Sequence, residues 1–158
     1  MKQQIHSPKW MLNGLFIAAT WCLLGFLAQP LVAGEDEKPF AEAHVVLQLS
    51  NGDTEKQAMV LSVANNLIKH YGGPDFIDIE IVAFGPGIGL LYADNNNLER
   101  ISSLAANGVR FVGCMNTVET IERKTGERPK LNPLTVPVQT GVAHLIDRDK
   151  QGFVIIRP

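Results

Sequence analysis

From residue 44 onward the chain switches repeatedly between short, nearly continuous apolar runs and longer stretches with apolar residues three and four apart. These are the patterns of buried strands and of one-faced helices. The first run, His44-Val45-Val46-Leu47-Gln48-Leu49-Ser50, is β-branched and aliphatic and closes on the turn Asn51-Gly52. Asp53 can then cap a helix by accepting backbone N–H bonds. Along that helix Val60, Val63, Ala64, Leu67, Ile68 and Tyr71 fall on one face, and Gly72-Gly73-Pro74 stops it. A second strand, Asp78 to Phe84, runs into the glycine-rich turn Gly85-Pro86-Gly87-Ile88-Gly89. Leu98, Ile101, Leu104 and Ala105 suggest another helix, ending at Asn107-Gly108. The third strand, Val109 to Cys114, is followed by Asn116 or Thr117 as the cap of a helix through Val118, Ile121 and Glu122 toward Gly126. The proline-spaced stretch from Arg128 to Pro137 leaves room for a short strand at Leu134 to Val138. Thr140 can cap a last helix carrying Val142, Leu145 and Ile146, and Gly152 introduces the closing strand Phe153 to Arg157.

Strands of this apolar kind, alternating with helices, predict an α/β fold with a mostly parallel sheet of four or five strands, covered by helices on both faces. In such sheets the ligand crevice lies beyond the carboxyl ends of the strands. Three chain exits should therefore share one edge: Asn51-Gly52-Asp53, Gly85 to Gly89, and Cys114-Met115-Asn116-Thr117.

The start of the chain has a different character. Lys2 and Lys9 precede an uncharged run from Trp10 to Ala28; Pro30 then breaks it, and Leu31-Val32-Ala33 offers a cut ahead of Gly34. That order reads as an N-terminal signal peptide over residues 1–33, with a periplasmic or secreted destination. The alternative is an uncleaved membrane anchor, because 19 uncharged residues reach the roughly 18 that can span a bilayer. Residues 34–43, which include the acidic Gly34-Glu35-Asp36-Glu37 and Pro39, read as a short flexible lead, and residues 44–158 as one domain.

Removing Lys2 and Lys9 from the 14 basic residues leaves 12 against 16 acidic ones, a formal charge of −4 for the part after the signal. With no basic run and no interleaving of aromatic with basic residues, nothing here points to a nucleic-acid partner. The three histidines of that part, His44, His70 and His144, show no metal-ligand spacing, so neither a metal nor a cofactor is expected.

Of the two cysteines, Cys22 falls in the signal, so Cys114 is the sole candidate for thiol chemistry in the exported chain. A buried free cysteine is ordinarily a small apolar filler. One placed just before a helix meets the positive end of the dipole and unpaired N–H donors, which favour the thiolate. No histidine neighbours it in sequence, and His144 could serve as a base only if the fold brought it there. The turn at Gly85, Gly87 and Gly89 could cradle a small anion on its backbone amides, although Pro86 removes one donor. The other reading is a tight strand exit that needs glycine for its backbone angles.

From His44 to Pro158 the chain resembles the DsrE/DsrF-like proteins. The resemblance rests on the Val82-Ala83-Phe84-Gly85-Pro86-Gly87 segment, the Gly113-Cys114-Met115-Asn116-Thr117 segment and the closing Ile156-Arg157-Pro158. It implies a three-layer α/β/α domain, assembled into homo-oligomers, often trimers or hexamers. In some members a cysteine carries sulfane sulfur as a persulfide and passes it between a donor and an acceptor protein; here that role falls to Cys114. Gly85, Gly87, Gly89, Asn116 and Thr117 are then the candidates for the surrounding pocket. The alternative function is an oligomeric module that binds a small anion or sulfur compound without covalent chemistry.

Overall fold

The computed structural model describes residues 38–158. The signal read at residues 1–33, with Cys22, lies outside the described residues. Among the described residues no helix is long and apolar enough to cross a membrane.

Five strands, β1 (Ala43–Leu49), β2 (Ile77–Ala83), β3 (Arg110–Cys114), β4 (Thr135–Val138) and β5 (Val154–Ile156), form one sheet in the order β4-β3-β2-β1-β5. Every pairing is parallel, with Leu47 beside Ile81, Ile81 beside Phe111 and Phe111 beside Thr135. The helices are α1 (Thr54–His70), α2 (Leu98–Ala106), α3 (Met115–Thr125) and α4 (Gly141–Lys150), and the glycine-rich turn winds into a 3₁₀ segment, Gly85–Leu91. The α/β class expected from the pattern is the one observed, with all five strands parallel.

The connections decide which face each helix covers. Going from β1 to β4, each step moves one place in the same direction, whereas the step from β4 to β5 returns across the sheet to its opposite edge. Parallel crossovers are almost always right-handed, so a step in the reverse direction must pass over the opposite face. Two apolar layers show this. Leu47, Ile79, Ile81 and Phe111 pack with Val60, Leu61 and Ala64 of α1, Ile101 and Leu104 of α2 and Val118 of α3. On the other face Val46, Val82 and Val112 meet Leu145 of α4 and Phe153.

This second layer is small, and α4 sits on it differently from its apolar pattern. Only Leu145 of the three expected apolar residues is buried; Val142 is 50% and Ile146 52% exposed. The reason lies in β2, which is buried at all seven positions and includes Asp78 and Glu80 on the α4 side. A buried carboxylate must be paired, and α4 therefore turns His144 and Arg148 inward. Glu80 accepts from Arg148 Nε and Nη2 (3.1 and 2.6 Å), from Arg110 Nε (2.9 Å) and from His144 Nε2 (2.7 Å). Arg110 also reaches both oxygens of Asp78 at 2.9 and 3.0 Å. Burial pushes the Glu80 carboxyl up, but the hydrogen bonds from Arg148, His144 and Arg110 outweigh it and hold its pKa below the usual value.

The described part of the lead makes contacts with the domain. Lys38 Nζ donates to the carbonyls of Pro74 (2.8 Å) and Ile77 (3.0 Å), and the Glu42 amide to Phe76 O (2.8 Å), which ties residues 38–42 to the start of β2.

Glu80→Ala should destabilise the domain by about 3–5 kcal/mol in urea unfolding, because Arg110 and Arg148 would be left without their shared counter-charge. Since the carboxyl pKa is depressed in the fold, its contribution is present above the unfolded value and disappears as pH falls through the folded one. Wild-type stability should therefore drop on acidification below about pH 4.3, the ordinary glutamate value, and Glu80→Gln should flatten that drop.

Candidate functional site

Strands β3 and β4 are neighbours, yet the chain leaves β3 for α3 on one face and leaves β4 for α4 on the other. Diverging exits of this kind open the crevice in which parallel sheets bind ligands. Cys114 is the last residue of β3, and Gln139, Thr140 and Gly141 form the exit from β4.

Cys114 is itself the residue that precedes α3, in extended conformation, and no side chain caps that helix. The expected cap residues, Asn116 and Thr117, lie instead within its first turn. Amides of a first turn have no partner inside the helix, and here the thiol occupies the place of a cap. Gly141, the first residue of α4, packs against Cys114, where a Cβ would stand 3.1 Å from Cys114 Cβ, and the Gly141 and Thr117 amides and the Thr117 hydroxyl are the groups that favour its thiolate. Two helix starts therefore converge on one sulfur. Burial raises the thiol's pKa, but these donors outweigh burial, and the net shift is downward from the ordinary value. In the neutral form the thiol can donate to Gln139 O, 3.7 Å away.

The other residues expected at the site divide into two groups. Asn116 and Thr117 are beside the sulfur. Gly85 is one step removed: its amide donates to Thr117 Oγ1 at 3.0 Å, which leaves the Thr117 proton free to point at the thiol. Gly85 has φ +53°, which suits glycine at the strand exit. Gly87 donates its amide to Phe84 O (3.1 Å), and a Cβ there would run into the Leu49 carbonyl, so this glycine allows the exits of β1 and β2 to close on each other. Gly89 accepts at its carbonyl from Asn95 Nδ2 (2.8 Å), and its space is bounded by Gln57 and Tyr92. His144 is held on Glu80, its Nε2 occupied by that carboxylate. Among the described residues no cluster of three or more His, Cys, Asp or Glu side chains could hold a metal ion.

Gln139 and Gly141 are the residues that sequence reasoning missed. A glycine as the first residue of a helix, where its propensity is poor, was the available signal for Gly141. A Cβ at this position would stand 3.1 Å from Cys114 Cβ and 3.3 Å from Phe84 Cβ, so the close approach of α4 to the thiol needs glycine. Gln139 carried no signal, because its role comes from contacts across the crevice. The Asn116 amide donates to Gln139 O (3.0 Å), Gln139 Nε2 to Asn116 Oδ1 (2.6 Å) and to Glu119 Oε1 (3.2 Å), and Asn116 Nδ2 to Thr140 Oγ1 (3.0 Å). Residues 139–141 thus form a strap across the thiol, latched to α3, and Cys114 is only 5% exposed.

Beside this strap a groove of about 450 Å³ runs between the 3₁₀ segment and α3. Pro86, Ile88, Tyr92 and Ile121 make its apolar walls, Lys124 is its one cation, and Gly85, Asn116 and Thr117 form its end nearest the thiol. Cys114 itself does not line it.

Neither a family model nor a curated protein matches the chain. Among solved structures it is similar to MTH1491 from Methanobacterium thermoautotrophicum, described as a protein of unknown function. The two share 27% sequence identity with a TM-score of 0.66, over 74% of this chain and 100% of the other. The likeness agrees with the α/β architecture seen here.

Two outcomes follow from a thiol that is acidic and covered. Native alkylation of Cys114 should be slower than in the unfolded chain, yet its pH midpoint should lie below the roughly 8.5 of a free thiol; stopped-flow or mass-resolved alkylation against pH reads both. Asn116→Ala removes two side-chain bonds of the latch, each contributing about 1 kcal/mol net. Native alkylation of that variant should be about thirty-fold faster, the factor that about 2 kcal/mol of lost latch corresponds to in a locally opened segment.

Proposed function

We propose that this protein is a sulfur carrier in which Cys114 accepts a sulfane sulfur and holds it as a persulfide. The observation that carries the reading is the place of Cys114 at the start of α3 with Gly141, the first residue of α4, packed against it, so that two helix starts meet at a single sulfur. Such an arrangement favours an anionic sulfur over a neutral one, and both the attacking thiolate and the product persulfide are anions.

The step balances without an added oxidant. The thiol gives its proton to water, and the thiolate attacks the terminal sulfur of a polysulfide or of a donor persulfide. A sulfur–sulfur bond forms to Cys114, the donor's own sulfur–sulfur bond breaks, and the shortened polysulfide or donor thiolate leaves with the electron pair. Transfer onward is the same exchange in reverse, with an acceptor thiolate attacking the outer sulfur. Access requires the strap at Gln139 to Gly141 to move, since the thiol is covered in the closed arrangement.

The resemblance to DsrE/DsrF-like proteins supports this reading, as does the position of Cys114 at the sheet's crevice. The exported setting inferred for residues 1–33 is compatible with it: a lone thiol cannot close an internal disulfide and stays available for a mixed disulfide or a persulfide. Noncovalent anion binding at the glycine-rich turn is the less favoured alternative, because the Gly85 and Gly87 amides are already bonded to Thr117 Oγ1 and Phe84 O.

Incubating the purified protein with polysulfide and measuring intact mass should show a reducible gain of about 32 Da, one sulfur atom, mapping to Cys114. Cys114→Ser should show none. A wild-type chain that stays unmodified, or a gain that persists in Cys114→Ser, would overturn the proposal.

A further inference from the structure

Helix α4 brings Gly141 against Cys114, where a Cβ would stand 3.1 Å from Cys114 Cβ, and little apolar contact holds it there. Gly141 and Leu145 are its buried residues, while Val142 and Ile146 are half exposed. What fixes the helix on the sheet is polar. Its first hydrogen-bonded turn joins the His144 amide to Thr140 O at 3.0 Å, so His144 is one turn from Gly141. The other end of His144, Nε2, lies 2.7 Å from Glu80 Oε2, and one turn further on Arg148 spans both oxygens of the same carboxylate. Arg110 pins Glu80 from the neighbouring strand, and it is itself fixed by Asp78. Arg148 also stacks over the Phe153 ring, 5.2 Å from its centroid. The carboxylate is therefore a rigid post in the sheet, and the start of α4 is tied to it through one imidazole.

We infer that His144 is a positioning residue, which through its bond to the buried Glu80 carboxylate sets the first turn of α4 so that Gly141 and the start of that helix pack against Cys114. The inference rests on the carrier reading for its purpose, while its geometry stands apart from whether sulfur is ever loaded. It also gives a reason for a histidine on the inward face of α4 that does no acid–base work at the thiol. In this role the imidazole needs only a hydrogen-bond donor at Nε2. Its ring charge is not required, and an amide of similar reach should replace it.

The test is the ultraviolet thiolate titration of Cys114 in the full chain, for wild type, His144→Ala and His144→Gln, with circular dichroism to confirm the fold. His144→Ala should move the thiol midpoint up by about one pH unit, a ten-fold loss of thiolate near neutrality. His144→Gln, whose Nε2 can donate to Glu80, should return it to the wild-type value. A folded His144→Ala that titrates like wild type would overturn the inference, and so would a His144→Gln that titrates like His144→Ala. If His144→Ala does not fold, His144→Leu, of similar reach and without a donor, takes its place: its midpoint must rise while that of His144→Gln stays at the wild-type value, and an unshifted His144→Leu would overturn the inference. Polysulfide loading of the same wild-type sample reports on the carrier reading separately, since a thiol that titrates low and fails to load would contradict that reading and leave the positioning role standing.

Discussion

A chain that has laid four parallel strands side by side can add a fifth at the far edge only by crossing back over the sheet. The right-handed rule puts that return on the face its earlier helices left bare. Here this one constraint separates the exits of β3 and β4, so that α3 starts on one side of the crevice and α4 on the other. The thiol stands at the end of β3, between the two starts. The site therefore follows from topology, and the side chains around it adjust its chemistry.

Two effects oppose each other at that sulfur. Taking a thiolate out of water is unfavourable, and the strap of residues 139–141 leaves Cys114 almost covered. Against this, a hydrogen bond to an ionised group contributes about 1.5–3 kcal/mol, and a helix start adds up to about 2 kcal/mol in a partly buried setting. Several such donors exceed the penalty, in line with the downward shift of the Cys114 pKa. Cover and acidity draw on different contacts: the latch between Asn116 and Gln139 holds the strap over the thiol, while the amides of Gly141 and Thr117 and the Thr117 hydroxyl favour its thiolate. A carrier needs both, because an exposed persulfide would be lost to any passing thiol.

The class of fold, four helices and a sheet of four or five strands were legible in the chain because hydrophobic period reports burial directly. Cys114 was legible as a lone thiol at a strand exit. What sequence pattern could not show is how the second face is built. Val142, Leu145 and Ile146 read as an apolar stripe, yet α4 rotates to pair His144 and Arg148 with Glu80, a carboxylate two strand-and-helix units away in sequence. Glu80 alternates with Ile79 and Ile81 as an outward residue of an exposed strand would, and only the covering helix makes it interior. Gln139 was invisible for the same reason, and Gly141 showed only as a glycine opening a helix. Their partners, Asn116 and Cys114, lie across a crevice that strand order alone defines.

The central claim, that Cys114 holds a transferable sulfane sulfur, is tested most directly by cyanolysis of polysulfide-treated, desalted protein. Cyanide attacks the outer sulfur of a persulfide, leaves as thiocyanate and returns the cysteine as its thiolate. Stoichiometric thiocyanate from the wild-type chain and none from Cys114→Ser is the result expected. A folded wild-type chain that releases no thiocyanate, or equal release from both proteins, would contradict the account.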